Sequence, residues 1–298
     1  MRMRLWGGAH RTSAPVRDAG PDAEVAPSRW FLPYYAFIVG GGLLLLGLNA
    51  SALDGAPWLL ILLWAGLILV TDAAPVTLPG GGFITVSSTV DYAGILILGP
   101  VPTALAEFLA TLLLQTGFQR RPFHKTAFNA AAFAGTVLVA GRVYELLGGV
   151  TGEALAFPQS LLPILGMGLA YFALNTLIVS TVIALSERRR VWHIWQVNYV
   201  WTIFHMVASL PFGAALAVAF RALGVWGVVL FVMPLLLARY SFKLYAEAKR
   251  DLIDFAGVLA GVIAEFDPYT CSHSQRVSRI AAQLAREMGL PERLVERV

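Results

Sequence analysis

The chain has 298 residues, 57% of them hydrophobic and only 13% charged, against about 25% charged in an ordinary soluble domain. A deficit of that size excludes a water-soluble globular protein, because a folded surface of this extent has to meet water. The formal net charge of +4 comes from basic residues strung along the edges of apolar segments. Nucleic-acid binding would gather them on one folded face, so no nucleic-acid partner is expected. A single cysteine, Cys271, excludes an intrachain disulfide framework and a cysteine-based zinc site.

Residues 1–29 are polar, aperiodic and rich in Pro, Ala and Arg, and are expected to be a disordered cytoplasmic segment. Arg2, Arg4, Arg11, Arg17 and Arg29 precede the first apolar run, which is long enough to span and is read as uncleaved. A membrane-crossing helix needs about 20 mainly apolar residues. Candidate spans fall at 31–50, 57–72, 83–99, 101–117, 124–147, 160–185, 197–220 and 224–243, within a membrane region of 30–243. The third is unusual. Phe83-Ile84-Thr85-Val86 is β-branched and follows Leu78-Pro79-Gly80-Gly81-Gly82, yet a lone strand cannot satisfy its backbone in lipid, so a helix or re-entrant segment is expected. Gly99-Pro100-Val101-Pro102 predicts a tight helical hairpin between the third and fourth segments.

With the N-terminus inside, the basic residues Arg120, Arg121, Lys125, Arg188, Arg189, Arg190, Lys243, Lys249 and Arg250 all fall in inner loops. The outer loops hold Asp54, Glu153 and the lone Arg221. That asymmetry places both termini in the cytoplasm and makes the span count even, about eight, with six if two segments do not cross. The fold class is therefore an all-α polytopic bundle in a lipid bilayer, at the plasma (inner) membrane of a bacterium.

Several polar residues lie inside the apolar segments: Asp91, Glu107, Asn129, Arg142, Asn175, Asn198 and His205. Ionisable groups at membrane depth are costly and so mark functional sites. Glu107 has no basic neighbour in its own helix, and Asp91 lies across the Gly99–Pro102 hairpin. Asp91, Glu107, Asn129 and His205 are candidates for an intramembrane ligand or proton site. The competing reading makes these groups packing glue, hydrogen-bonded to Ser87, Ser88, Thr103, Asn129 or His205. Arg142, beside Glu145 near a helix end, is expected to snorkel. Ala127, Ala131 and Gly135, and Gly166 with Ala170, repeat at four-residue spacing and would let helices approach closely.

Beyond the last span a linker helix is expected over 244–266. Tyr245, Ala248, Leu252, Phe255, Leu259, Val262 and Phe266 alternate spacings of three and four, a seam that would pair two copies of the chain as a parallel homodimer. An amphipathic helix packed on its own domain is the alternative, and Gly257 and Gly261 favour it. Asp267-Pro268 reads as a break and restart, with Thr270 or Ser272 capping the next helix and Ser272 with Gln275 forming a capping-box pattern. Val277, Ile280, Leu284 and Met288 give that helix an apolar face, Gly289 ends it, and Pro291 opens another.

The string Asp267-Pro268-Tyr269-Thr270-Cys271-Ser272-His273-Ser274-Gln275-Arg276-Val277 closely resembles the opening of an HD-GYP-type metal-dependent phosphohydrolase domain. The resemblance covers residues 250–298, and other HD phosphohydrolases open similarly. Ser272 and Cys271 depart from it, standing where glycine and arginine or glycine are usual. The resemblance implies that His273 is a metal ligand, with Asp267, Thr270 and Arg276 as supporting motif residues. It also implies a cluster of divalent iron or manganese ions and cyclic di-GMP as substrate. Residues 267–298 would be the N-terminal fragment of that domain. The expected His-Asp pair and G-Y-P motif do not occur by Val298, so the chain by itself is expected to be inactive and to hold no metal stably. A sensor controlling the enzyme is the leading function. A transporter or small-ligand-binding membrane protein with an accessory tail is the alternative, and a plain membrane anchor the third.

Overall fold

The structure, a computed structural model, describes residues 28–73, 76–77, 83–84, 87–199, 202–266 and 268–288. Most of the 1–29 segment therefore lies outside the described residues, as does the helix expected from Pro291. The order is α1 (Phe31–Leu48), a 3-10 turn (Ala50–Leu53), α2 (Trp58–Asp72), β1 (Val76–Thr77), β2 (Phe83–Ile84), α3 (Ser87–Leu98), α4 (Pro100–Leu112) and a π-helical segment (Leu113–Phe118). Then follow α5 (Phe123–Leu146), α6 (Leu161–Glu187), α7 (Val191–Tyr199), α8 (Thr202–Leu223), α9 (Val225–Phe266) and α10 (Pro268–Glu287).

The protein is thus all-helical apart from a short antiparallel ladder pairing Val76 with Ile84 and Thr77 with Phe83. Among the described residues four helical stretches are long and apolar enough to cross a membrane: Phe31–Leu48, Pro100–Phe118, Phe123–Leu146 and Leu161–Glu187. Trp58–Asp72, Ser87–Leu98 and Ala208–Leu223 are shorter apolar helices. At 1.5 Å per residue, α3 with its 12 residues reaches about 18 Å, against about 30 Å of hydrocarbon. Its length alone does not carry it across.

The chain divides into two compact units, residues 1–233 and 234–298. In the first, α4 and α5 lie at the centre. α2 and α3 pack on α4, α1 and α6 on α5, α8 on α3, and α7 on α6. Lipid removes the hydrophobic drive for helices to associate, so close packing and polar links take over. Small residues set the approach. A methyl on Gly42 would stand 2.6 Å from the Ala131 carbonyl oxygen, one on Gly141 2.7 Å from Pro100, and one on Gly168 2.4 Å from Leu210. Tyr34 and Tyr35 then tether α1, donating to the carbonyls of Ile178 at 3.1 Å and His124 at 2.9 Å. The outward faces are apolar, with Leu32, Phe37, Leu59, Leu162 and Leu169 all exposed, as a bilayer requires.

Two expectations are corrected. The third segment is not helical from residue 83: Phe83 and Ile84 form β2, and α3 covers Ser87–Leu98, with residues 85–86 outside the described residues. Phe83 and Ile84 find the one partner lipid cannot supply, a second strand at Val76–Thr77. Of the segment expected at 197–220, residues 197–199 belong to α7 and Thr202 onward to α8, with residues 200–201 outside the described residues. In the tail, neither Thr270 nor Ser272 caps a helix, since α10 already begins at Pro268. Proline suits a first helical position, where its missing N–H would be unsatisfied in any case.

The second unit holds the later part of α9 and α10. α9 is one helix of 42 residues, with Pro234 inside it. Tyr245, Leu252, Phe255 and Leu259 are exposed along it. Gly257 is accommodated inside the helix, and a methyl added there would meet nothing within 4 Å. On α10, Val277, Ile280, Leu284 and Met288 are exposed and Ala285 is buried.

Candidate functional site

The hairpin between α3 and α4 positions the site. Gly99 has φ +93°, a conformation that strains residues carrying a side chain, and Pro100 takes the first position of α4. The Gly99 N–H donates to the Ile95 carbonyl at 3.1 Å, and the Thr103 hydroxyl returns a bond to the Gly99 carbonyl at 2.8 Å. Such a tight turn fixes the register of the two helices. Gly94 meets Thr103, with room for no methyl, since one would stand 2.6 Å from Thr103 Cγ2 and 2.7 Å from Trp64 Nε1. One helical turn further from the bend, Asp91 and Glu107, equidistant from Gly99 in sequence, come into side-chain hydrogen-bonding contact.

Both carboxyl groups are deeply buried, at 1% and 3% exposure. Tyr171 of α6 donates its hydroxyl to Asp91 Oδ2 at 2.7 Å, and Thr111 of α4 donates to Glu107 Oε1 at 2.8 Å. The other oxygens, Asp91 Oδ1 and Glu107 Oε2, receive no donor from the described protein groups, and neither does the buried Ser88 hydroxyl one turn before Asp91. Tyr92 stacks edge-on against Tyr171 with ring centroids 5.1 Å apart. Gly213 brings α8 onto the same helix, since a methyl there would stand 2.6 Å from Tyr92 Cβ and 3.0 Å from the Thr89 carbonyl. Asp72, at the end of α2, lies within electrostatic reach of both carboxyls. None of the ion pairs among the described residues involves Asp91 or Glu107.

The structure brings Asp91 and Glu107 together, but not with the partners anticipated. Thr103 bonds the Gly99 carbonyl, and Asn129 donates to Gln115 Oε1 at 2.8 Å in a separate buried link beneath the π-helical segment. His205 lies on the first turn of α8, with its side chain outside the described residues. The same holds for the side chain of Asn198 on α7. Arg142 is exposed, as expected of a snorkelling residue, and bridges Glu145 at 2.7 Å and Asn49 Oδ1 at 2.6 Å. Tyr171 and Thr111 are site residues that the sequence pattern does not single out. A tyrosine within an apolar run is the available signal, because a buried phenol seeks an acceptor.

In the tail, His273 lies on the second turn of α10 and Arg276, one turn later, is exposed. The side chains of Thr270, Cys271 and His273 and the whole of Asp267 fall outside the described residues. Among the described residues there is no group of three or more His, Cys, Asp or Glu placed to hold a metal ion. No family model, curated protein or solved structure matches the chain. Residue chemistry and geometry therefore carry the functional reading.

Proposed function

We propose that this chain is the membrane-integral regulatory region of a bacterial HD-GYP-type phosphodiesterase acting on cyclic di-GMP, with both termini cytoplasmic and about eight membrane segments. The observation that carries the reading is the placement of the D-P-Y-T-x-x-H-S-x-R-V string. It opens α10 at Pro268, and the helix that precedes it in the chain, α9, runs from an apolar stretch at Val225 to Phe266 with Pro234 inside it. The exposed apolar positions Tyr245, Leu252, Phe255 and Leu259 support pairing of two copies along that helix.

His273 would be one ligand of the metal cluster. Bound divalent iron or manganese would activate water and neutralise phosphodiester charge. No residue in the described set completes a ligand group with His273, so no catalytic step is assigned to the chain itself. The test uses membranes containing the full-length gene product, with chromatography of cyclic di-GMP and its linear and mononucleotide products. Manganese- or iron-dependent turnover is expected, falling about 100-fold or more in His273→Ala. Turnover unaffected by that change, or none with either metal, overturns the reading. Topology is tested through Cys271: a membrane-impermeant maleimide should label it in inverted vesicles and not in right-side-out ones.

The buried Asp91–Glu107 pair favours one second reading, a transporter in which the bundle is the working part. Substrate or ion flux in vesicles that is abolished by Glu107→Gln would establish it over the first.

A further inference from the structure

We propose that Asp91 and Glu107 form an exchangeable proton-binding site in the helix bundle, sharing one proton between two carboxyl groups. Four observations lead there. The two groups are in hydrogen-bonding contact, and carboxylates offer only acceptors, so a bond between two of them requires a proton on one. Each outer oxygen is already fixed by a donor, Tyr171 for Asp91 and Thr111 for Glu107. Each group keeps a second buried oxygen that no described protein donor reaches. Finally, the Ser88 hydroxyl, buried and without a partner, stands one turn from Asp91 on the same face of α3 and offers a relay position for the proton.

The donor set selects the ligand. A proton joins oxygens about 2.5–2.7 Å apart, whereas a calcium ion stands about 2.3–2.6 Å from each of six to eight oxygens. Asp91 and Glu107 supply two carboxyl groups, and among the described residues no third His, Cys, Asp or Glu joins them in a group that could hold a metal ion. Among the described residues no ion pair involves either carboxyl. Asp72 faces the pair from α2, Tyr171 from α6, and Tyr92 lies alongside on α3. On α5, Arg142 is engaged with Glu145 and Asn49. On α8, Arg221 engages the Gly152 carbonyl, while the His205 side chain lies outside the described residues.

Loss of the proton would set two adjacent negative charges in a packed interior next to Asp72. Like charges at that separation repel strongly in low dielectric, so the α3–α4–α6 junction would have to rearrange. The site thus couples proton occupancy to helix packing, independently of the activity proposed above.

The test is infrared difference spectroscopy of the wild-type protein in lipid nanodiscs, reading the C=O stretch of protonated carboxyl groups as pH is raised. One titrating band is expected, shifted both by carboxyl-13C aspartate and by carboxyl-13C glutamate labelling, because the proton is shared. Labelling requires no substitution, so the result stands whether or not variants fold. Asp91→Asn and Glu107→Gln should each remove the shared band, and Tyr171→Phe should change its frequency while leaving it present. No titrating band, or one that responds to neither label, overturns the proposal. So does a band abolished at fixed pH by sodium or calcium chloride but not by choline chloride, which would make the pair a cation site.

Discussion

The first and fifth helices are both apolar and both long enough to span, yet they meet opposite surroundings. In α1 only 6% of the apolar window is buried inside the protein, while in α5 the figure is 67%, although α1 is the more apolar of the two. Hydropathy therefore reports which segments tolerate lipid and not which lie inside. α5 holds its central place with small residues, Ala130, Ala131, Ala134 and Ala140, and with a buried polar link at Asn129. α1 presents Leu32, Phe37, Leu44 and Leu48 outward and meets its neighbours along one face, at Gly42, at two tyrosine hydroxyls and where Tyr34, Tyr35, Ile38 and Val39 pack in the cluster of Phe128. In lipid the inside of a bundle is defined by close fit and satisfied polarity, because burying a leucine against protein gains little over burying it in acyl chains.

Substitutions on a single helix put that contrast at risk. On α2, Trp64 is fully buried, donates to the Val90 carbonyl at 3.0 Å and stacks edge-on with Phe220, whereas Leu62 is exposed. Trp64→Ala should cost about 3–5 kcal/mol and Leu62→Ala no more than about 0.5 kcal/mol, measured by denaturant unfolding in mixed micelles. Equal losses would break the division between interior and lipid-facing positions.

On α1, Gly42→Ala should cost about 1–3 kcal/mol, since the added methyl drives into backbone of α5. Gly40→Ala, with nothing within 4 Å, should be neutral or slightly stabilising in the same assay. Tyr171→Phe strips Asp91 Oδ2 of its donor and should cost about 1–3 kcal/mol. In the Asp91→Asn background the loss should be smaller, and a double-mutant cycle reads the difference. The smallest effect is expected at Arg142→Ala, whose ion pair is solvent-accessible: at most about 1 kcal/mol, falling further with added salt.

How much of this was legible in the chain follows from the range of the interactions. The apolar segments at 31–50, 57–72, 124–147 and 160–185 lie within a few residues of α1, α2, α5 and α6, because length and hydropathy are local properties. The break before Pro100 was legible for the same reason. Glycine followed by proline admits few backbone conformations, and from that bend the facing of Asp91 and Glu107 follows by counting turns. The β1–β2 ladder was not legible, because a β-branched run looks the same whether or not a partner strand exists. Helix starts also misled in the tail: a capping pattern at Ser272 and a proline at 268 both signal an N-terminus, and the proline prevailed.

The sequence by itself determined that the chain belongs in a bilayer, where its longest apolar helices run, and that two acidic residues flank one tight turn. Only the tertiary structure decided what those acids meet. Tyr171 reaches Asp91 from 80 positions away, and Gly213 seats α8 against α3 from still further. Such meetings depend on which small residues let which backbones approach. That is a property of pairs of surfaces, and a one-dimensional pattern of apolar and polar residues does not contain it.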